Sequence, residues 1–67
     1  MTKKLTYEQW QQLSDALENA VSMRESGEGG GHAALIHLLN RLGYHPMSSY
    51  EAERVAQKAL DESGPPE

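Results

Sequence analysis

The chain has 67 residues and a formal net charge of -4, and its lack of cysteine excludes disulfides, thiolate nucleophiles and cysteine-containing zinc sites. A domain of this length buries only about 60% of the surface that its unfolded form exposes, which argues against the deep, dry pocket of most enzymes. The acidic charge disfavours strong binding to nucleic acid or to anionic membranes.

The first predicted element is a helix from Tyr7 to about Glu25. Thr6 and Gln9 form a capping box, in which each side chain accepts from the other residue's backbone N–H, and Leu5 is placed to contact Trp10. Apolar residues then recur at steps of three and four, which puts them on one stripe of a helix. The stripe consists of Trp10, Leu13, Leu17, Ala20, Val21 and the stem of Arg24.

Four glycines in the segment 26–31 predict a flexible loop, because glycine has wide backbone freedom and no side chain to pack. A second helix is predicted over about His32 to Leu42, with apolar residues on about half of its circumference. These residues are Ala34, Leu35, Ile36, Leu38, Leu39 and Leu42, which leaves Ala33, His37, Asn40 and Arg41 for water. Gly43 is the expected left-handed C-cap, and Pro46 prevents continuation of the helix.

A third helix is predicted over about 49–63. Ser48 and Glu51 form a second capping box, with Met47 placed to contact Ala52. One face is rich in alanine, which permits close approach of another helix. That face consists of Ala52, Val55, Ala56, Ala59 and Leu60. Gly64 and the two prolines after it end the helix.

The predicted fold is all-α. It is one domain over residues 1–67, in which three helices and the glycine-rich loop are completed by homodimerisation, with flexible ends at 1–5 and 64–67. Homodimerisation is expected because the apolar half of helix 2 is large for two small flanking helices to cover. The residues predicted for the core or the dimer interface are Trp10, Leu35, Leu38, Leu39 and Leu42.

Metal, phosphate and catalytic sites have little support in the sequence. His32 and His37 are five residues apart, which turns them about 140° from each other on a helix, so both cannot bind one ion. The glycine run 29–31 has no basic residue and no phosphate-loop pattern. The serines have no histidine at a spacing that suggests a nucleophile and its base. We expect no metal, no cofactor and no enzymatic activity.

Helix 2, the Gly43 turn and helix 3 are compatible with a DNA-binding helix-turn-helix motif, which is the alternative function. The connection 44–48 is longer than the usual turn of about three or four residues. Glu51 and Glu53 at the start of helix 3 would repel phosphates, so nucleic acid is disfavoured.

The stretch from Leu38 to Leu60, with its Leu-Gly-Tyr turn, resembles the first two helices of ubiquitin-associated domains. The resemblance covers about a third of the chain, and the third helix of that family is missing. It therefore implies no residue roles here.

The polar face of helix 1 carries the main functional hypothesis. This face, the acidic strip, consists of Glu8, Gln11, Gln12, Asp15, Glu18, Asn19 and Ser22. On the same helix its acidic residues have no Lys or Arg three or four positions away, so the usual surface ion pairs are missing. The strip is either an ordinary solvated face or a docking surface for a basic region of another protein.

On the second interpretation, the sequence predicts a non-enzymatic cytoplasmic protein that binds and regulates or inhibits a larger protein. No membrane partner is expected, because no apolar run approaches the roughly 18 residues that span a bilayer. No export signal is expected either, because Glu8 and neighbouring glutamines occupy the position of its apolar stretch.

Overall fold

Three helices make up the described part of the chain, which is residues 5–64 of a computed structural model. They are α1 (Tyr7–Glu25), α2 (Gly31–Leu42) and α3 (Ser49–Ser63), and residues 5–64 contain no strand. The prediction of an all-α fold with three helices is confirmed. Helix α2 begins one residue earlier than predicted, because Gly31 is already helical.

The predicted capping box is present at the start of α1. Thr6 Oγ1 accepts from the N–H of Gln9 at 3.2 Å, and Gln9 Oε1 accepts from the N–H of Thr6 at 3.0 Å. The assignment of Leu5 to a flexible end was wrong, because its side chain is only 3% exposed. Its N–H also donates to Ser63 Oγ at 3.1 Å, which joins it to the end of α3. Gly64, also predicted as part of a flexible end, is the C-cap of α3, and its N–H donates to the carbonyl of Leu60 at 2.8 Å. The remaining predicted ends, 1–4 and 65–67, lie outside the described residues.

Helix α3 begins with only half of the predicted capping arrangement. Ser48 Oγ accepts from the N–H of Glu51 at 3.1 Å, but the Glu51 carboxylate accepts from the N–H of Met47 instead of Ser48. Glu51 thus closes a turn that reaches one residue further out and leaves the Met47 side chain 92% exposed. The predicted contact of Met47 with Ala52 was therefore wrong.

Helix α1 runs broadly antiparallel to both other helices. Trp10, near the start of α1, reaches Leu60 near the end of α3. Arg24, near the end of α1, pairs with Glu53 close to the start of α3. The start and end of α2 likewise approach the end and start of α1. Helix α3 therefore starts at the end of the molecule where α2 starts, and the connection 43–48 returns along the bundle.

The core lies where the three helices meet. Its largest fully buried side chains are Leu13, Leu35 and Leu39. Small residues of α3 lie against this core: Ala52, Ala56 and Ala59. The backbones of α1 and α2 approach each other closely at Gly31, where an added Cβ would lie 2.9 Å from the Ala20 Cα. Small side chains on two helices thus let a short chain pack closely.

The residues predicted for a core or dimer interface divide into two groups. Leu35, Leu39 and Leu42 are buried within the single chain, whereas Trp10 and Leu38 are partly exposed. Ala34 was also expected on the apolar face of α2, and this was wrong, because it is exposed. The buried side of α2 is a narrower stripe than the apolar half of its circumference.

Candidate functional site

The acidic strip lies on the outward side of α1, and all seven of its residues are exposed. Gln11 Nε2 donates to Asp15 Oδ1 at 3.3 Å, so one of its carboxylates has a neutral partner within the strip. Within residues 5–64 both ion pairs end on Glu53, and none involves a carboxylate of the strip. No carboxylate of the strip therefore forms an ion pair with a described basic residue, although Arg41 of α2 lines a small surface pocket together with Glu8 and Gln12.

An open groove, the acidic groove, lies between α1 and α3 beside the strip. Its volume is about 630 Å³. The residues of its floor are buried or partly buried and apolar: Trp10, Leu17, Val21 and Leu60. The rim is polar and mostly exposed: Ser14, Glu18, Ser22, Glu25, Gln57 and Asp61, with Gly64 at one end. Glu18 and Ser22 belong to both the strip and the groove, so the two surfaces are continuous.

Trp10 lies at one end of the groove and is only partly buried. Part of its ring packs against the core, and the residue remains partly exposed in the groove. Its indole Nε1–H donates to the carbonyl of Leu60 at 3.4 Å, which ties α1 to the last turns of α3. As the only tryptophan of the chain, it also reports on anything that enters the groove.

The electrostatic character of the groove comes from carboxylates on both of its walls. Glu18 and Glu25 extend from α1, and Asp61 extends from α3 and accepts from Gln57 Nε2 at 3.0 Å. Among the described lining residues there is no Lys, Arg or His. A cleft with apolar walls and charges of one sign focuses the field, so this groove attracts cations.

A separate cluster joins all three helices at the other end of α3. Arg24 Nε and Nη2 donate to the Glu53 carboxylate at 2.9 and 3.3 Å, and His32 Nε2 lies 2.5 Å from Glu53 Oε2. A carboxylate only accepts, so the ring nitrogen carries the proton. The hydrogen bond from His32, followed by those from Arg24, lowers the pKa of Glu53. The hydrogen bonds that Arg24 donates to Glu53 raise the pKa of Arg24.

Sequence reasoning missed this cluster. The sequence placed Arg24 as an apolar stem and His32 as a residue at a helix start, and it assigned neither a partner. Arg24 and Glu53 are 29 residues apart and His32 and Glu53 are 21 residues apart, so no local spacing connects them. The cluster links α1, α2 and α3 through side-chain hydrogen bonds to one carboxylate.

A third surface surrounds the start of α3. Tyr50 is 73% exposed, and the Arg54 guanidinium carbon lies 5.9 Å from the centre of its ring, a cation–π arrangement. Lys58 follows one turn later and is also exposed. This aromatic and basic surface is the feature of α3 that fits the DNA-binding alternative.

No protein-family model, no curated protein and no solved structure matches the chain. Among residues 5–64, no group of three or more His, Asp or Glu side chains is arranged to hold a metal ion. In the same part of the chain, no helix combines the length and hydropathy that crossing a membrane requires.

Proposed function

We propose that this protein is a non-enzymatic binding protein that regulates or inhibits a larger protein by occupying a basic surface of it. The observation that supports the proposal is the group of carboxylates on one side of α1 that have no ion pair within residues 5–64. Glu8, Asp15 and Glu18 lie on the strip, and Glu25 and Asp61 lie on the groove. Asp15 and Glu18 are neighbours on the surface of α1 and lie within one Debye length, roughly 8 Å at physiological salt, so they act together on an approaching partner. Glu8 and Glu25 lie about 25 Å apart along the same helix, so the full set of charges requires a partner surface that follows α1.

The shape of the groove supports a macromolecular partner. Pockets for small substrates are concave and enclose most of the ligand surface. The acidic groove is open to solvent and continues onto the exposed strip. A partner surface can cover the groove and the strip together, whereas a small molecule would stay largely exposed there.

The homodimer stays a prediction. Its support from α2 is now limited to Ile36 and Leu38, which are partly exposed, because Leu35, Leu39 and Leu42 are buried within the chain. Light scattering behind a sizing column gives the mass directly. A dimer has a mass of about 15 kDa, and a monomer has the chain mass of 7.4 kDa.

The proposed function is tested by charge reversal on the strip. Asp15→Lys with Glu18→Lys replaces two negative charges by positive ones at exposed positions. A matched control, Glu28→Lys with Glu62→Lys, makes the same charge change at exposed positions outside the strip and the groove. Tagged wild type, variant and control are used to capture partners from the native host, and affinity and association rate are then measured for the captured protein.

We expect wild type and control to retain the partner and the strip variant to lose about 2 kcal/mol of binding, mostly in the association rate. Association should also slow as ionic strength rises. Equal affinity of the strip variant and the wild type would show that the strip is an ordinary solvated face.

The DNA-binding alternative is supported by Tyr50, Arg54 and Lys58 on the exposed side of α3. It is opposed by Glu51 in the first turn and by the connection 43–48, which returns along the bundle instead of making a tight turn. Gel shifts with random duplex DNA at physiological salt should show no complex below micromolar protein. A complex at nanomolar protein would make DNA binding the better proposal.

A further inference from the structure

We infer that the acidic groove holds a cationic amphipathic helix of the partner. The apolar side of that helix packs on Trp10 and Val21 of the floor, and its Lys or Arg side chains pair with Glu18, Glu25 and Asp61 of the rim. This inference rests on the proposed function and specifies which chemistry occupies the groove.

The walls of the groove favour a helical occupant. Both walls are helices, whose backbone N–H and C=O groups already bond within each helix, so the groove offers few backbone partners. An extended segment would lay its own unpaired backbone groups on an apolar floor, which is costly. A helix satisfies its backbone internally and buries only side chains.

The length and geometry of the groove also suit a helix. The lining residues of α1 extend from Trp10 to Glu25, about 22 Å at 1.5 Å per residue. A partner helix of about 15 residues has this length. A partner helix laid along the groove between the antiparallel α1 and α3 would be the fourth helix of a helical bundle.

The charges select a cationic partner over a second copy of this chain that docks through its own α1. Carboxylates on both walls have no ion pair within residues 5–64, so they are available to Lys and Arg. The outward side of α1 in a second copy would bring Asp15 and Glu18 against the rim, and the whole chain carries a net charge of -4. Such like-charge contacts disfavour self-docking at this groove.

Three synthetic 15-residue peptides without tryptophan test the inference. The first places Leu at positions i, i+3, i+4 and i+7 and Lys elsewhere. The second has the same composition, rearranged so that no apolar stripe forms. The third keeps the stripe and replaces Lys by Glu. Binding is followed by the fluorescence of Trp10, the only tryptophan. We expect the first peptide to bind at micromolar concentration and to shift the Trp10 emission to the blue. The other two peptides should reach half-saturation only at peptide concentrations at least tenfold higher.

A groove variant completes the test. Glu25→Lys with Asp61→Lys changes rim positions outside the strip, and we expect it to weaken binding of the first peptide at least tenfold. The control Glu28→Lys with Glu62→Lys should change binding less than twofold. Circular dichroism melting of each variant establishes that it is folded. If the rearranged peptide binds as well as the first, or if the groove variant binds like wild type, the inference is overturned.

The two proposals fail in different ways. If the first peptide does not bind while the strip variant still loses the captured partner, the groove inference falls and the proposed function stands. If the first peptide binds as expected but the captured partner binds the strip variant and the groove variant as tightly as wild type, the groove accepts such helices and the proposed function is wrong.

Discussion

Gly31→Ala is a substitution whose effect on stability should have the opposite sign from the usual one. In an exposed helix, replacing Gly by Ala stabilises by about 1 kcal/mol. At Gly31 the new Cβ would lie 2.9 Å from the Ala20 Cα, 3.1 Å from Met23 Sδ and 3.4 Å from the Asn19 carbonyl oxygen. The methionine side chain can rotate away, but the backbone of α1 cannot. The substitution therefore forces α1 and α2 apart.

The expected loss follows from two opposing contributions. Overpacking a well-filled site costs typically about 1–3 kcal/mol, and the gain in helix propensity offsets at most about 1 kcal/mol. We expect the free energy of unfolding to fall by about 1–2 kcal/mol. For a domain of this size that lowers Tm by roughly 5–15 °C.

Gly29→Ala is the matched control, because a Cβ there meets nothing within 4 Å and its φ is not positive. Thermal melting of wild type and both variants by circular dichroism, at one protein concentration, gives the comparison. We expect the Tm of Gly29→Ala to equal or exceed that of wild type by a few degrees. If Gly31→Ala melts at or above the wild-type temperature, the close approach of α1 and α2 does not limit stability and our reasoning is refuted.

Three further predictions concern the core, the ion-pair cluster and the histidines. Leu39→Asp should unfold the chain, because Leu39 is fully buried and an unpaired buried charge costs about 4 kcal/mol or more. Leu38→Asp changes a partly exposed position, so a urea titration should still show a folded protein. The pKa of Glu53 is lowered below its ordinary value of 4.5, so its contribution to stability is complete above that value and is lost as pH falls through the lower one. Glu53→Gln should therefore be less stable than wild type at pH 7 and should lose less stability between pH 5 and pH 3, roughly, in urea titrations. Adding zinc or a chelator should leave Tm unchanged within about 2 °C, and a large zinc-dependent rise that His32→Ala abolishes would contradict this.

Local patterns were sufficient to predict the secondary structure. The capping box at Thr6 and the steps of three and four after it depend only on near neighbours in sequence, and the structure contains the expected helix. The Gly43 cap is equally local, with φ 97° in the left-handed region. Where two local signals competed, the prediction was less accurate. Glu51 could cap either of two N–H groups, and it accepts from that of Met47.

Contacts between helices were beyond such patterns. The strip could be read from the sequence because it depends on the periodicity of one helix. The groove needs α3 beside α1, and no spacing predicts that Asp61 and Glu18 line the same groove. The partners of Glu53 were missed for the same reason. Leu5 was assigned to a flexible end because the partner of its backbone N–H, Ser63 Oγ, is 58 residues away.

The contacts of Leu5 and Trp10 have a consequence for folding and for local opening. Leu5 contacts Ser63, 58 positions away, and Trp10 contacts Leu60, 50 positions away. The end of α3 therefore packs against the start of α1 only when nearly the whole chain is closed into a loop. Contacts of such high sequence separation form late in folding. We expect the last turns of α3 to open locally at a lower free energy than global unfolding, because helix ends are held by fewer contacts than the centre of the core. Amide hydrogen exchange at Leu60 and Gly64 would then measure the lifetime of the groove separately from the stability of the fold.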